Sequence, residues 1–370
     1  MFKKLTTLAI FSFSLTVSAA SPSTYYQVKT ELIKTSNKQL TDWVKEIVKV
    51  SVPSRMVGSK GHAQVRDYLK TTVEKLDPKK SGKLIVTNSV ADIKEARNFY
   101  QRDFDQKVEG KIPKTHPDYK KWAGFTTHMQ QQAERLQGVD VSNIVWEKTG
   151  LNQNKVLVVT AHYDTISLDD KTFTIKEKEA MPGANYNASG VAVALGMIKT
   201  LAAFDLNYSV QVVFLDWQGI GFLGSYQYAR DLKDLQAKGK DILGVINLEM
   251  LGQDTSFFDK SKKLGNMSAY VRDVTAEKTW TKKLLEHGSK ISQKVTFELK
   301  PNSFDRTDSF RFWEKDFKSV SFSQNWEEDF NPKFFQSPQD TPETLNHETL
   351  YHAYQYIGGA VISMLLDITK

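Results

Sequence analysis

The feature that most constrains this chain is the alternation of apolar, strand-like runs with helical stretches through its second half. Lys155 to Thr160 (KVLVVT) and Tyr208 to Leu215 (YSVQVVFL) are nearly continuous apolar runs. A strand that is apolar on both faces must be covered on both, which is the pattern of a parallel sheet sandwiched by helices. Around these runs the spacing predicts helices at Gly190–Phe204, Ser225–Leu235, Thr279–Ile291 and Leu345–Ile368. It predicts further strands at Asp241–Met250 and Lys318–Ser323. The expected fold is a mostly parallel, twisted α/β sheet sandwiched by helices, with ligands seated at the carboxyl ends of its strands.

The first half reads differently. Ser23 to Leu76 is helical in pattern, with Leu40, Trp43, Val44, Ile47 and Val48 at helical spacing and a break at Pro53 and at Gly58 to Gly61. Lys83–Thr87 reads as a short strand. Residues from about 90 to 136 are rich in Lys, Gln, Asp and aromatics and poor in Val and Ile. They predict two helices, Ala91–Phe104 and Tyr119–Leu136, around a loop at Ile112–Pro117. Strand signals resume at Val141, so this stretch is expected to be a helical insert that caps a single domain spanning 21–370. No internal repeat or low-complexity tract is present.

Residues 1–20 have the pattern of a signal peptide: Lys3 and Lys4, an uncharged apolar run from Leu5 to Val17, then Ser18, Ala19 and Ala20. That run is too short for a permanent membrane span, and no later apolar stretch is long enough for one. The expectation is an exported protein, periplasmic or extracellular. The chain has no cysteine, which excludes disulfides, thiolate metal sites and a Cys nucleophile. Its formal net charge is +7, with lysines scattered among acidic residues rather than clustered. No nucleic-acid-binding module accompanies that charge.

The residues that carry chemistry fall at the predicted carboxyl ends. Lys155–Thr160 runs into His162 and Asp164, where a carboxylate two residues on can take the second ring N–H and fix the tautomer of a metal-binding imidazole. Pro182 to Gly190 (PGANYNASG) opens one helix, and Asp216 to Ser225 (DWQGIGFLGS) follows a strand and opens another. Asn247 to Gly252 (NLEMLG) ends a third strand, and Phe335 to Thr341 (FQSPQDT) precedes the last helix. His347 and Glu348 approach an H-E-x-x-H motif, but the second His, His352, is one residue too far for one helix face. The remaining carboxylates near the inferred pocket, Asp164, Asp216, Asp308 and Asp340, read as helix caps and loop anchors. There is no G-x-S-x-G elbow and no P-loop.

In order and spacing, this series resembles the clan MH zinc peptidases, the family of bacterial leucyl aminopeptidases and glutamate carboxypeptidases. The resemblance runs from about Arg55 (SRMVGSKG) to the C-terminus, apart from the helical insert, and implies a zinc-aminopeptidase-like (phosphorylase/hydrolase-like) fold. It also implies two zinc ions held by five residues, one of them a bridging carboxylate. Laid over this chain, the first His falls on His162 and the orienting Asp on Asp164. The bridging Asp falls on Tyr186, and the paired glutamates, general base and ligand, fall on Gln218 and Gly219. The next carboxylate falls on Glu249 and the final His on Gln336.

Those substitutions have physical consequences. A phenol with a pKa of about 10 does not replace a carboxylate shared by two dications. Gly219 offers no side chain, and the Gln336 amide is a poor zinc ligand beside imidazole. The Gln218 amide cannot take a proton from water near neutral pH. The resemblance, so altered, implies a pseudopeptidase without its zinc pair that binds a peptide or protein ligand, as non-catalytic members of the family do. The alternative is an active exopeptidase with one zinc on His162 and Glu249.

Overall fold

The computed structural model describes residues 24–301 and 306–368, apart from 170 and 178. The predicted signal peptide at 1–20 lies outside these residues. One sheet of eight strands organises the chain, in the order β1-β2-β4-β3-β5-β8-β6-β7. Its strands are β1 (Lys83–Val90), β2 (Asp140–Lys148), β3 (Asn152–His162), β4 (Tyr208–Leu215), β5 (Asp241–Leu248), β6 (Asn266–Val271), β7 (Thr296–Pro301) and β8 (Ser319–Gln324). The centre, β4-β3-β5-β8, is parallel throughout. Antiparallel pairs lie towards the margins, at β1-β2, β2-β4 and β6-β8, while β6-β7 is parallel.

The period-2 alternation of side chains divides the central strands between two cores. Leu157 and Val159 of β3, with Val210, Val212 and Phe214 of β4, face one core. Val156 and Val158, with Val213 and Leu215, face the other. The first core is the larger and is closed by α2 (Asn37–Val50), α3 (Lys60–Leu76), α6 (Gly190–Leu201), α8 (Thr275–Ile291) and α10 (His347–Leu365). The second is closed by α7 (Leu223–Ala237) and the short α9 (Ser309–Trp313). This double cover explains why β3 and β4 read as nearly continuous apolar runs, whereas β8 alternates Ser319, Ser321 and Ser323 with Val320 and Phe322.

Helix starts follow their capping residues. The side chains of Ser36, Ser59 and Asn346 accept backbone N–H groups of Gln39, His62 and Thr349 at the heads of α2, α3 and α10. The aromatic-rich stretch near 90–136 contains α4 (Ile93–Lys107), capped by Asp92, and α5 (Pro117–Arg135), begun by Pro117. These two helices pack on each other and, with residues of the 166–181 loop, build a third apolar cluster. Its members include Tyr100, Phe125, Met129, Ile166 and Tyr186. α1 (Tyr25–Leu32) completes the chain against α10. Among the described residues, no helix is long and apolar enough to cross a membrane.

Two strands, β6 and β7, and the short α9 were not predicted from sequence. β7 is an edge strand whose only buried residue is Phe297, and Glu298, Lys300 and Pro301 interrupt any apolar pattern. Such residues are common where an edge must resist further pairing, and they erase the alternation that announces a strand.

Candidate functional site

The motif-bearing segments converge at the carboxyl edge of the parallel strands, as the strand order requires. His162 ends β3 and is fully buried. Its Nε2 meets Glu249 Oε1 at 3.1 Å, just beyond β5, and its Nδ1 lies 2.9 Å from the backbone carbonyl of Asp164. The Tyr186 ring meets the imidazole edge-on, with centroids 4.9 Å apart. The Tyr186 hydroxyl donates a hydrogen bond to Gln218 Oε1. His162, Tyr186, Gln218 and Glu249 therefore form one contiguous polar group. Gly219 and Gln336 line the same cavity as Tyr186, Gln218 and Glu249.

Asp164 does not take the role anticipated for its carboxylate. Its nearer oxygen is 3.8 Å from His162 Nδ1, and the ring is held by the backbone carbonyl instead. The carboxylate accepts the backbone N–H groups of Gln218 and Gly219, at 2.9 Å each, and so fixes the turn after β4. Asp340 similarly accepts the N–H groups of Asn185 and Tyr186, at 2.8 and 2.9 Å. Asp216 accepts those of Ser142 and Trp217 and pairs with the buried His62 at 2.7 Å. Three of the four carboxylates thus anchor loops. Asp308 is the exception: it is buried and accepts no backbone N–H group among the described residues, and the Ser225 hydroxyl is the hydrogen-bonding group that faces it.

The Tyr186 segment is held from behind by Arg55. This guanidinium is fully buried and donates to the carbonyls of Pro182, Gly183 and Tyr186. Burial lowers its pKa to about 10, against the opposing fields of Asp340 and Asp164. Thr165 Oγ1 also donates to the Tyr186 carbonyl, at 2.7 Å.

These contacts set the electrostatics. Burial pulls the His162 pKa down, but the charge of Glu249 and its hydrogen bond outweigh that, and the pKa rises to about 9. His162 and Glu249 therefore form a buried ion pair at neutral pH. Burial raises Asp308 to about 7, with the positive field of His162 opposing the rise. Burial also raises Asp340 to about 6 and drives the Tyr186 phenol well above its ordinary value.

Above the polar group lies a cavity of ≈ 380 Å³. Its walls are largely aromatic: Phe99 and Tyr100 from α4, Trp122 and Phe125 from α5, and Trp326 and Phe335 from the loops after β8. Tyr100 ties α4 to the site by donating to the Gly219 carbonyl at 3.2 Å and accepting the Gly221 N–H at 3.0 Å. At the rim, Arg306 pairs with Asp103 at 2.6 Å. The sequence placed a helical cap here. It did not single out its aromatic side chains, or Arg55, as parts of the site. The aromatic enrichment of residues 90–136 was the signal available for the former.

Among the described residues, no group of three or more His, Cys, Asp or Glu side chains is arranged to hold a metal ion. His162 and Glu249, the residual ligand pair of the sequence reading, bond to each other.

A helix-covered sheet with this motif edge defines a protein of the zinc-aminopeptidase fold. The comparisons agree. A zinc aminopeptidase from Bacillus subtilis superposes with a TM-score of 0.64 over 90% of this chain and 97% of its own, at 17% identity. A glutaminyl cyclase from Bacteroides thetaiotaomicron superposes with a TM-score of 0.59 over 90% and 98% of the two chains, at 15% identity. The fold alone therefore does not fix the reaction. In sequence, aminopeptidase YwaD of Bacillus subtilis is 24% identical over 209 residues, which are 56% of this chain and 40% of that relative. The chain thus spans well under two thirds of that relative's length. The pattern of Peptidase family M28 matches residues 143–361, more than half of the sequence. The chain belongs to Peptidase family M28.

Proposed function

We propose that this chain is an exported, non-catalytic member of Peptidase family M28 that binds a peptide or protein ligand in the aromatic cavity. The observation that carries the reading is the closed polar group His162–Glu249 and Tyr186–Gln218. Both nitrogens of His162 are engaged, one by Glu249 itself. The Tyr186 ring stands against that imidazole. Gly219 and Gln336 add no anionic or imidazole donor. This donor set does not fit a pair of zinc ions, which need ligands from several deprotonated carboxylates and imidazoles. Nor does Gln218 supply a base to activate water. Export rests on the pattern of residues 1–20.

The cavity supports the binding half of the proposal. Mostly apolar walls with a few convergent polar groups are the usual build of a ligand site. Its volume of ≈ 380 Å³ suits one or two large side chains of a peptide.

Turnover of aminoacyl-nitroanilides and binding of fluorescently labelled peptides with aromatic ends, both measured on the mature chain with zinc added, test the reading. Saturable peptide binding without hydrolysis is expected. Hydrolysis abolished by His162→Ala would replace this reading with that of a single-zinc exopeptidase.

A further inference from the structure

A second cavity, of ≈ 660 Å³, opens at the opposite edge of the sheet, far along the strands from the polar group. It lies where Lys155 near the start of β3, Tyr208 at the start of β4 and Lys318 just before β8 face Tyr25 of α1, helix α8 and the end of α10. Nothing in the family resemblance assigns a role to this edge.

Two observations point to a ligand. The first is an excess of cations. Lys155, Lys283, Lys290 and Lys318 line the cavity, against the carboxylates of Glu286 and Asp367. Lys290 lies in the last turn of α8, where a cation complements the helix dipole. The other three lysines make no ion pair among the described residues. Lys155 rests 5.0 Å from the centre of the Tyr208 ring. His287 adds no fixed charge, because burial lowers its pKa and it already contacts the Tyr25 hydroxyl at 2.8 Å.

The second observation is independent of charge. Trp280 Nε1 and Ser363 Oγ are buried polar atoms without hydrogen-bond partners, and both side chains line this cavity. Trp280 is 8% exposed and Ser363 0%. An indole N–H can only donate, and buried donors in folded proteins are almost always paired. An acceptor oxygen that reached the indole edge from the cavity would satisfy it. The rings of Tyr25, Tyr208 and Trp280 supply apolar wall beside the ammonium groups.

We propose that this cavity binds a small organic anion. Its phosphate or carboxylate oxygens meet Lys283, Lys318 and the Trp280 N–H, and its apolar part lies against the tyrosine rings. The site is separate from the motif-bearing cavity, so its occupancy does not depend on the reading of that cavity.

Calorimetric titration of the mature chain with phenyl phosphate tests this, with inorganic phosphate, phenol and sodium chloride at matched ionic strength as controls. Saturable one-site binding of phenyl phosphate is expected, about tenfold tighter than either fragment. The double variant Lys283→Gln/Lys318→Gln should weaken it by about tenfold or more. These side chains are exposed or half-buried, so the variant should unfold at the wild-type denaturant midpoint. Trp280→Phe removes the donor together with part of the indole that packs against Gly244, and because the lysines remain it should weaken binding without abolishing it. The proposal is overturned if no saturable binding is seen at millimolar ligand. Equal affinity in the double variant, or equal competition by chloride, would overturn it as well.

Discussion

The resemblance lays a family glutamate over Gly219, and the packing around that glycine sets what a side chain there would cost. A Cβ built on Gly219 would lie 2.8 Å from Ile166 Cγ2 and 3.3 Å from Asp164 Oδ2. Ile166 belongs to the packed cluster beneath the cavity. Asp164 cannot retreat without losing its bonds to the Gln218 and Gly219 N–H groups. Overpacking of this kind costs about 1–3 kcal/mol. Replacing glycine also reduces the freedom of the unfolded chain, which returns about 0.4–1 kcal/mol where φ is ordinary, as it is here. Gly219→Ala is therefore expected to destabilise by about 1 kcal/mol. Gly219→Glu adds a second carboxylate beside the buried Asp164, whose pKa burial already raises. It is expected to cost about 3 kcal/mol in total. Equilibrium urea unfolding at neutral pH measures both. A double-mutant cycle with Ile166→Ala, which removes the colliding methyl, should reduce the Gly219→Ala cost. If Gly219→Ala matches or exceeds wild-type stability, or if the cycle shows no coupling, the packing argument fails.

Three further outcomes follow from the same contacts. Burial lifts the folded pKa of Asp308 to about 7, above that of an unfolded Asp, so its ionisation costs stability as pH rises from about 4 through 7. Asp308→Asn should therefore stabilise the protein at pH about 8, by at most about 4 kcal/mol, and change little at pH about 4, as read by urea unfolding at both. Arg55→Lys keeps the charge but not the fork that reaches three carbonyls, and should lower stability by about 2–4 kcal/mol in thermal or chemical unfolding. Trp122→Ala removes a half-buried wall of the aromatic cavity and should weaken binding of aromatic-ended peptides by about tenfold in a fluorescence titration, with the fold intact.

Much of this architecture is legible in the sequence because the central strands are buried on both faces. KVLVVT and YSVQVVFL, short and rich in Val, read as interior strands, and the helices between them follow from their spacing. The order of the motifs then brings His162, Tyr186, Gln218 and Glu249 to one edge. What the sequence hid was local. The β7 edge strand lacks an apolar rhythm because edges avoid one. Asp164 looked like a partner for the His162 ring because a side chain two residues on can reach it. Its carboxylate instead turns to the Gln218 and Gly219 N–H groups, two buried donors that had no other acceptor. The burial of Asp308 and the cradle around Arg55 depend on contacts between distant segments, which residue types and spacing do not encode.

The central claim is that the substituted site holds no zinc pair. Its most direct test is the zinc content of the purified mature chain, measured by elemental analysis after exposure to zinc and removal of the unbound metal. The account predicts no stoichiometric zinc and an unfolding midpoint that chelator leaves unchanged. Two zinc ions per chain, with peptide hydrolysis that chelator abolishes, would contradict it.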